Sequence, residues 1–484
     1  MNGPFFIGID IGTQGARVVL MDSEGAVAGS RQTDFPLSAA SREEQSPDLW
    51  WDVCFGLLKD LFRDVKNEID VAAVKAVSVT STSGTVIPLD EKNKPLHNAI
   101  MYSDPRSAEE ASICKKTAER FNGHGYTGFN SSSGLSKMVW FVNRFPEKAA
   151  KLKKWIHAAD FIIGKLSGRY DVTDYTNALK SGFDVDKKCW PDYLHEELPL
   201  KKTWLQEVVP SGTVIGTVET AIARELGISP SVQAVAGMTD GCASQIASGA
   251  VNPGDWNTTI GTTLVVKGVT TQEVKDPEGR LYCHRHPEGF WMPGGAGNIG
   301  ADWVSQLFKD EVESLSKQAE GLYPTGHIAY PLLQQGERFP FFSPEARGFA
   351  PAELSRAALF TAYLEGVAFV ERYAYEMIES LSGESVSAVF TAGGASNSDV
   401  WLSIRSNVLN RPVRKMQNVS GAAGAAILAA SSHFGSLREA SRAMTRIEKE
   451  IRPKAEFVDQ YNFSYKKFVN TLREKGYLRE GQYA

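Results

Sequence analysis

Two short apolar runs near the start of the chain, 4–10 and 15–21, are rich in β-branched residues and flank Gly12-Thr13-Gln14-Gly15. Apolar runs across a tight, glycine-containing turn predict a β-hairpin. Further strands are predicted over 25–31 and 74–80. Between them, Pro47-Asp-Leu-Trp-Trp-Asp-Val-Cys-Phe-Gly-Leu-Leu spaces its apolar residues as a helix does, and its aromatics are assigned to core. Residues 105–225 read as mainly helical, with a polar stretch at 170–185 and proline-marked loops at 191–212. A fresh strand near 232 opens a second half. That half has hairpin strands over 255–268, a helix near 299–319 and a long amphipathic helix near 354–382. An apolar strand at 388–392 then leads into a helix through Trp401 and Ile404. Gly421-Ala-Ala-Gly-Ala-Ala-Ile-Leu is small and apolar enough for a tightly packed helix. Residues 437–484 are charged and helical, and are expected to pack back across the first domain. Mixed strands and helices in two similar halves predict α/β layers around two sheets, with domains at 1–236 and 237–484.

Composition narrows the function classes. A chain of 484 residues exceeds one ordinary core, and 42% hydrophobic with 23% charged residues is globular usage. The net charge of -5 and the lack of a long basic run argue against nucleic acid or an anionic membrane as partner. No basic segment precedes an apolar one at the start, and no apolar run reaches ~18 residues, so neither a signal peptide nor a membrane helix is expected. Five cysteines, dispersed and without a Cys-x-x-Cys pair, read as reduced thiols of a cytoplasmic protein. His284 and His286 would share a strand face, but no third metal ligand lies nearby.

Candidate chemistry begins at the first hairpin. Asp10 stands at the mouth of its turn, where glycines let backbone N–H groups approach an anion and Thr13 adds a hydroxyl. A carboxylate beside a phosphate cradle makes sense with a divalent cation between them, although an ordinary hairpin with an exposed Asp gives the same pattern. Asn257-Thr-Thr-Ile-Gly261-Thr262-Thr263 repeats the strand–turn–strand motif in the second half, which points to a phosphate clamp in duplicate. Ala388-Val-Phe-Thr-Ala followed by Gly393-Gly394-Ala-Ser-Asn397 is a strand-to-helix turn with no bulk at its tip, open to a nucleotide base and ribose or simply a tight connection. Asp240, after a strand and heading a helix, is either an N-terminal cap or the base that takes a proton from a hydroxyl nucleophile. Ser83, at a strand end, and Asp104 with Arg106 offer the mixed donors and acceptors that a polyol needs; an Asp–Arg surface pair is the alternative.

Together these motifs resemble the FGGY carbohydrate kinase family, in the wider group that includes actin and the hexokinases, over nearly the whole chain. Gly8-Ile-Asp10-Ile-Gly-Thr13 resembles the first phosphate motif, Asn257 to Thr262 the second, and Ala392 to Asn397 the adenosine motif. Asp240 matches the catalytic base. Ser136-Lys137-Met-Val-Trp140 and Leu364-Glu-Gly366-Val367 resemble two family signatures, with Gly134 standing where Pro, Ser or Thr is usual. The resemblance implies two ribonuclease H-like domains of actin/hexokinase type with an active-site cleft between them. It implies ATP and Mg2+ as cofactors, Asp10 at the metal, and Thr13, Gln14, Gly261, Thr262, Gly393, Gly394 and Asn397 at the nucleotide. Ser83, Asp104, Arg106 and Asp240 would meet the sugar. Within the family the likeness is to pentulose kinases, and Ser83, where xylulokinases usually carry His, favours D-ribulose; D-xylulose or another pentulose or polyol is the alternative. A nucleotide-dependent binding protein of the same architecture is the remote alternative. A homodimer stays open.

Overall fold

Phe5–Gly12 (β1) is buried along nearly its whole length, as a strand covered on both faces must be. It turns through Thr13 and Gln14 into Gly15–Asp22 (β2), with Gly12 opposite Gly15 and Asp10 opposite Arg17, and Val27–Asp34 (β3) extends the meander. The hairpin is the one predicted. The computed structural model describes residues 3–36, 38–121 and 125–479.

The chain forms two units: 1–247 with 284–289 and 418–445, and 248–283 with 290–417 and 446–484. In the first, Val74–Ser81 (β4), Val214–Thr217 (β5) and Gln233–Thr239 (β6) complete a sheet of order β5-β6-β4-β1-β2-β3. β4 runs parallel to β1, β6 parallel to β4, and β5 antiparallel to β6. β6, read from sequence as the opening of the second half, is thus a strand of the first sheet. Pro47–Val65 (α1) is capped by Ser46 and buries Trp50, Cys54, Leu57, Leu58, Leu61, Phe62 and Val65, the single stripe its spacing predicts. It packs on β2 and β3.

Gly134–Arg144 (α2), Ala158–Ser167 (α3) and Tyr175–Leu179 (α4) follow, and Asp240–Ala247 (α5) starts directly from β6. Gly134 departs from the family pattern for a steric reason: a Cβ there would lie 2.5 Å from Ser181 Oγ. The stretch 170–185 is polar but not exposed, since Thr173, Asp174, Thr176, Asn177, Ser181 and Asp184 are all buried.

The second unit repeats the plan. Asp255–Ile260 (β7), Leu264–Gly268 (β8), Tyr282–Arg285 (β9), Trp291–Ala296 (β10), Ala388–Ala392 (β11), Val413–Met416 (β12) and Ile447–Ile451 (β13) form a sheet of order β9-β10-β8-β7-β11-β12-β13. The meander β10-β8-β7, the parallel strands β11 and β12, and the antiparallel β13 correspond to β3-β2-β1, β4 and β6, and β5. Arg356–Ser382 (α6) and Asp399–Leu409 (α7) match their predicted positions. The helix expected near 299–319 is broken into Asp302–Leu307 and Val312–Ala319.

Gly421–Ala429 (α8) is wholly buried, and it packs on β1, β4 and α5 of the first unit. The contact is backbone to backbone: a Cβ on Gly8 would sit 1.8 Å from Ala422 O, and one on Gly424 would sit 1.9 Å from Ala243 O. The chain therefore returns to the first unit through 418–445. Ala455–Glu474 (α9) packs instead on α6 and α7 of the second.

Candidate active site

Parallel strands place their C-terminal ends side by side, and ligands of open α/β sheets bind there. In the first unit Asp10 pairs with Thr80, Ile11 with Ser81, and Ser81 with Thr239. The ends of β1, β4 and β6 thus deliver the Asp10–Gln14 turn, the Thr82–Gly84 loop and Asp240 to one edge. A cavity of about 390 Å3 opens there, lined by Asp10, Thr13, Gln14, Arg17, Tyr102 and Asp240 among others. A larger cavity of about 520 Å3 lies against α6 and α9 and contains none of the candidate residues.

The turn is pinned by its carbonyls. Gln45 Nε2 donates to Thr13 O at 3.0 Å, and Trp50 Nε1 donates to Gln45 Oε1 at 2.8 Å. Phe35 N–H donates to Gln14 O at 2.7 Å. Asp10 Oδ1 is buried without a hydrogen-bond partner. Burial, then the charge of Asp240, pushes the Asp10 carboxyl up to about 7, against the pull of Arg17. Gly421, first residue of α8, leaves the room that this carboxylate occupies, since a Cβ there would be 2.5 Å from Asp10 Oδ2. An unpartnered buried carboxylate oxygen facing a second carboxylate is an arrangement that a divalent cation relieves, so the donor set fits the metal that the motif implies. Asp240 begins α5 and accepts from Gly241 N–H at 2.7 Å.

The remaining first-unit candidates stand apart from that cavity lining. Ser83 Oγ is buried without a partner. Its loop is held by Thr82 Oγ1 against Thr85 Oγ1 at 2.8 Å, and Thr85 Oγ1 accepts from Tyr102 N–H at 3.1 Å. Asp104 is 1% exposed and receives Arg106 Nε on Oδ1 at 2.9 Å and Nη2 on Oδ2 at 2.7 Å. Arg106 also donates to Glu44 Oε1 at 2.7 Å and stacks on Trp140 at 4.6 Å. The pair expected at the sugar is therefore spent largely on itself. Lys137, within the signature, is fully buried and donates to Asp104 O at 2.9 Å and to Ser131 O. Burial lowers its amine to about 8. Arg17 escaped the sequence reading, although a two-residue turn at Thr13-Gln14 sets it opposite Asp10 and so gives it away.

In the second unit the Gly261-Thr262-Thr263 turn and the Gly393–Asn397 turn leave the C-terminal ends of β7 and β11, which pair in parallel with Thr259 opposite Ala392. Ala301 N–H donates to Gly261 O at 2.7 Å. Gly393 has φ +85° and a Cβ there would fall 2.6 Å from Ile260 O, so only glycine fits. Gly393, Gly394 and Asn397 are exposed. Beneath them Arg405 donates to Thr391 Oγ1 at 2.7 Å and is paired with Glu371 at 2.7 Å, both fully buried.

The model of the FGGY carbohydrate kinase N-terminal domain matches residues 5–247, and that of the C-terminal domain matches 256–433. The chain is 27% identical to a gluconokinase of Bacillus licheniformis over 97% of this chain and 96% of that one. It is 25% identical to a xylulose kinase of Bacillus subtilis, covering 96% of each. The structure of a ligand-bound xylulose kinase from Lactobacillus acidophilus superposes with a TM-score of 0.83 at 23% identity, over 98% of this chain and 99% of that one. The two-unit fold is actin/hexokinase-like, and with family models matching both parts of it the chain belongs to the FGGY family of carbohydrate kinases.

Proposed function

We propose that this carbohydrate kinase transfers the γ-phosphoryl group of Mg-ATP to a terminal hydroxyl of a ketopentose, with D-xylulose ahead of D-ribulose. The observation that carries the reading is the meeting of Asp10, the Thr13-Gln14 turn and Asp240 in one cavity. Asp10 holds the magnesium that travels with ATP. Bound there, the ion would supply positive charge against that of the phosphates. In the first unit Thr13 and Gln14 are the candidate phosphate donors; in the second, Gly261 and Thr262 are the candidates for phosphate, and Gly393, Gly394 and Asn397 for adenosine. Asp240 accepts the hydroxyl proton as the sugar oxygen attacks the γ-phosphorus and ADP leaves. Ser83 offers its unpartnered hydroxyl to the sugar. Asp104 and Arg106, bonded to each other, are the remaining candidate sugar contacts.

A neutral ketose suits the site better than gluconate, the substrate that the name of the Bacillus licheniformis relative implies. An aldonate needs a cation at the sugar loops, and Arg106 and Lys137 there are committed to carboxylates and to carbonyls, while Arg17 of the cavity lies opposite Asp10 and bonds Gln32. The named xylulose kinases move the expectation away from D-ribulose. Ser83 is what keeps D-ribulose as the second reading. The test is ADP release with Mg-ATP against D-xylulose, D-ribulose, L-ribulose, L-xylulose, gluconate and glycerol. Preference for D-xylulose is expected. Preference for D-ribulose selects the second reading, and preference for gluconate or glycerol overturns the pocket argument while keeping the kinase.

A further inference from the structure

Asp240 rides on one peptide group. The bond between Met238 and Thr239 ends β6, and Asp240 follows as the first residue of α5. β6 and β4 change register between Val235 and Met238, so the regular ladder is interrupted just upstream of the carboxylate. Two threonine hydroxyls bind both ends of this peptide. Its carbonyl, Met238 O, accepts from Thr80 Oγ1 at 2.8 Å. Its amide, Thr239 N–H, donates to Thr176 Oγ1 at 2.8 Å. All four residues are buried, with exposures of 0% or 1%.

A hydroxyl accepts from a fixed direction only when its own proton is fixed. Thr176 Oγ1 donates that proton to Asp174 Oδ2 at 2.7 Å, which leaves its lone pairs for Thr239. Asp174 is 1% exposed and receives four further donors: Thr176 N–H at 2.8 Å, Ser211 Oγ at 2.6 Å, Asn177 N–H at 3.2 Å and Asn177 Nδ2 at 2.6 Å. Five donors to one buried carboxylate, with no cation among them, are more than capping a five-residue helix requires. The surplus runs through Thr176 to the backbone beside Asp240.

The geometry points to Thr176, oriented by Asp174, as a positioning residue for the carboxylate of Asp240. This rests on the reading of Asp240 as base. The chain of contacts is Asp174 to Thr176 hydroxyl to Thr239 amide, and its loss lets the Met238–Thr239 peptide rotate and carries Asp240 off line. Displacements of about an ångström cost on the order of 100-fold in rate.

The test compares Thr176→Val, which keeps the shape and removes the acceptor, with Thr176→Ser, which keeps the hydroxyl, in the full chain. Sugar-dependent ADP release is measured beside Asp240→Asn. Thr176→Val is expected to lose about 10- to 100-fold in kcat with the KM for ATP within about twofold of wild type, and Thr176→Ser to recover most of it. A folded Thr176→Val with wild-type kcat beside an inactive Asp240→Asn overturns the positioning role and leaves the base reading standing. Equal losses in the Val and Ser variants also overturn it, because packing alone would then explain them. An active Asp240→Asn overturns the base reading instead. Should Thr176→Val not fold, Thr80→Val and Thr80→Ser, which address the other end of the same peptide, decide by the same criteria.

Discussion

Asp10 is a half-buried carboxylate with one oxygen buried and unpartnered, beside a second carboxylate, an arrangement that costs stability. Its cost makes sense when a cation and phosphates arrive to use it. Asp10→Asn removes the charge and keeps the shape. We expect turnover to fall at least ~100-fold, and the stabilisation of the wild type by Mg2+ with ADP, read as a rise in Tm, to vanish in the variant. Asp10 is picked out in the sequence because it stands alone at a glycine turn. Asp104 and Arg106 were harder to read. Two residues apart, they look equally ready for a sugar or for each other, and only the packed loop shows Arg106 gripping Asp104 and Glu44.

At the scale of elements, hairpins and long helices were legible and non-local pairings were not. The Thr13-Gln14 turn, α1, α6 and α8 follow from periodicity and small-residue content. The strand of β6 is legible near 232, but its place in the first sheet is not, since its partner β4 lies some 150 residues earlier and nothing local announces the pairing. The 170–185 stretch is polar in sequence as read, but its burial is not legible there, because hydropathy does not show that its polar side chains satisfy one another. α6 carries a testable case. Its Glu365 is buried, accepts from Thr325 N–H at 2.9 Å and Tyr461 OH at 3.0 Å, and burial pushes it up to about 7 from 4.5. Between those values the folded chain keeps a proton that the unfolded chain has lost. The contribution of this group to stability is therefore present near pH 4.5 and lost as the pH rises through 7. Urea unfolding of wild type and Glu365→Gln should show the wild type losing roughly 1–3 kcal/mol relative to the variant between pH 5 and pH 8. A constant difference contradicts the assignment.

The whole molecule is one plan used twice. Each unit has a meander, two parallel strands and an antiparallel edge, with its chemistry at the parallel strand ends. The two copies differ in what they carry there: Asp10, Asp240 and the Thr82–Gly84 loop in the first, glycine turns with exposed residues in the second. No described helix is long and apolar enough to cross a membrane. In the proposed mechanism Asp240 is the group that takes the proton, while the other candidate residues supply positioning and charge compensation. The decisive measurement is sugar-dependent ADP release by wild type and Asp240→Asn, with Mg-ATP and D-xylulose. Wild-type turnover with a loss of about 100- to 10,000-fold in the variant, whose Tm and ATP binding stay unchanged, is the result expected of a general base. Turnover in Asp240→Asn close to that of wild type would contradict the account.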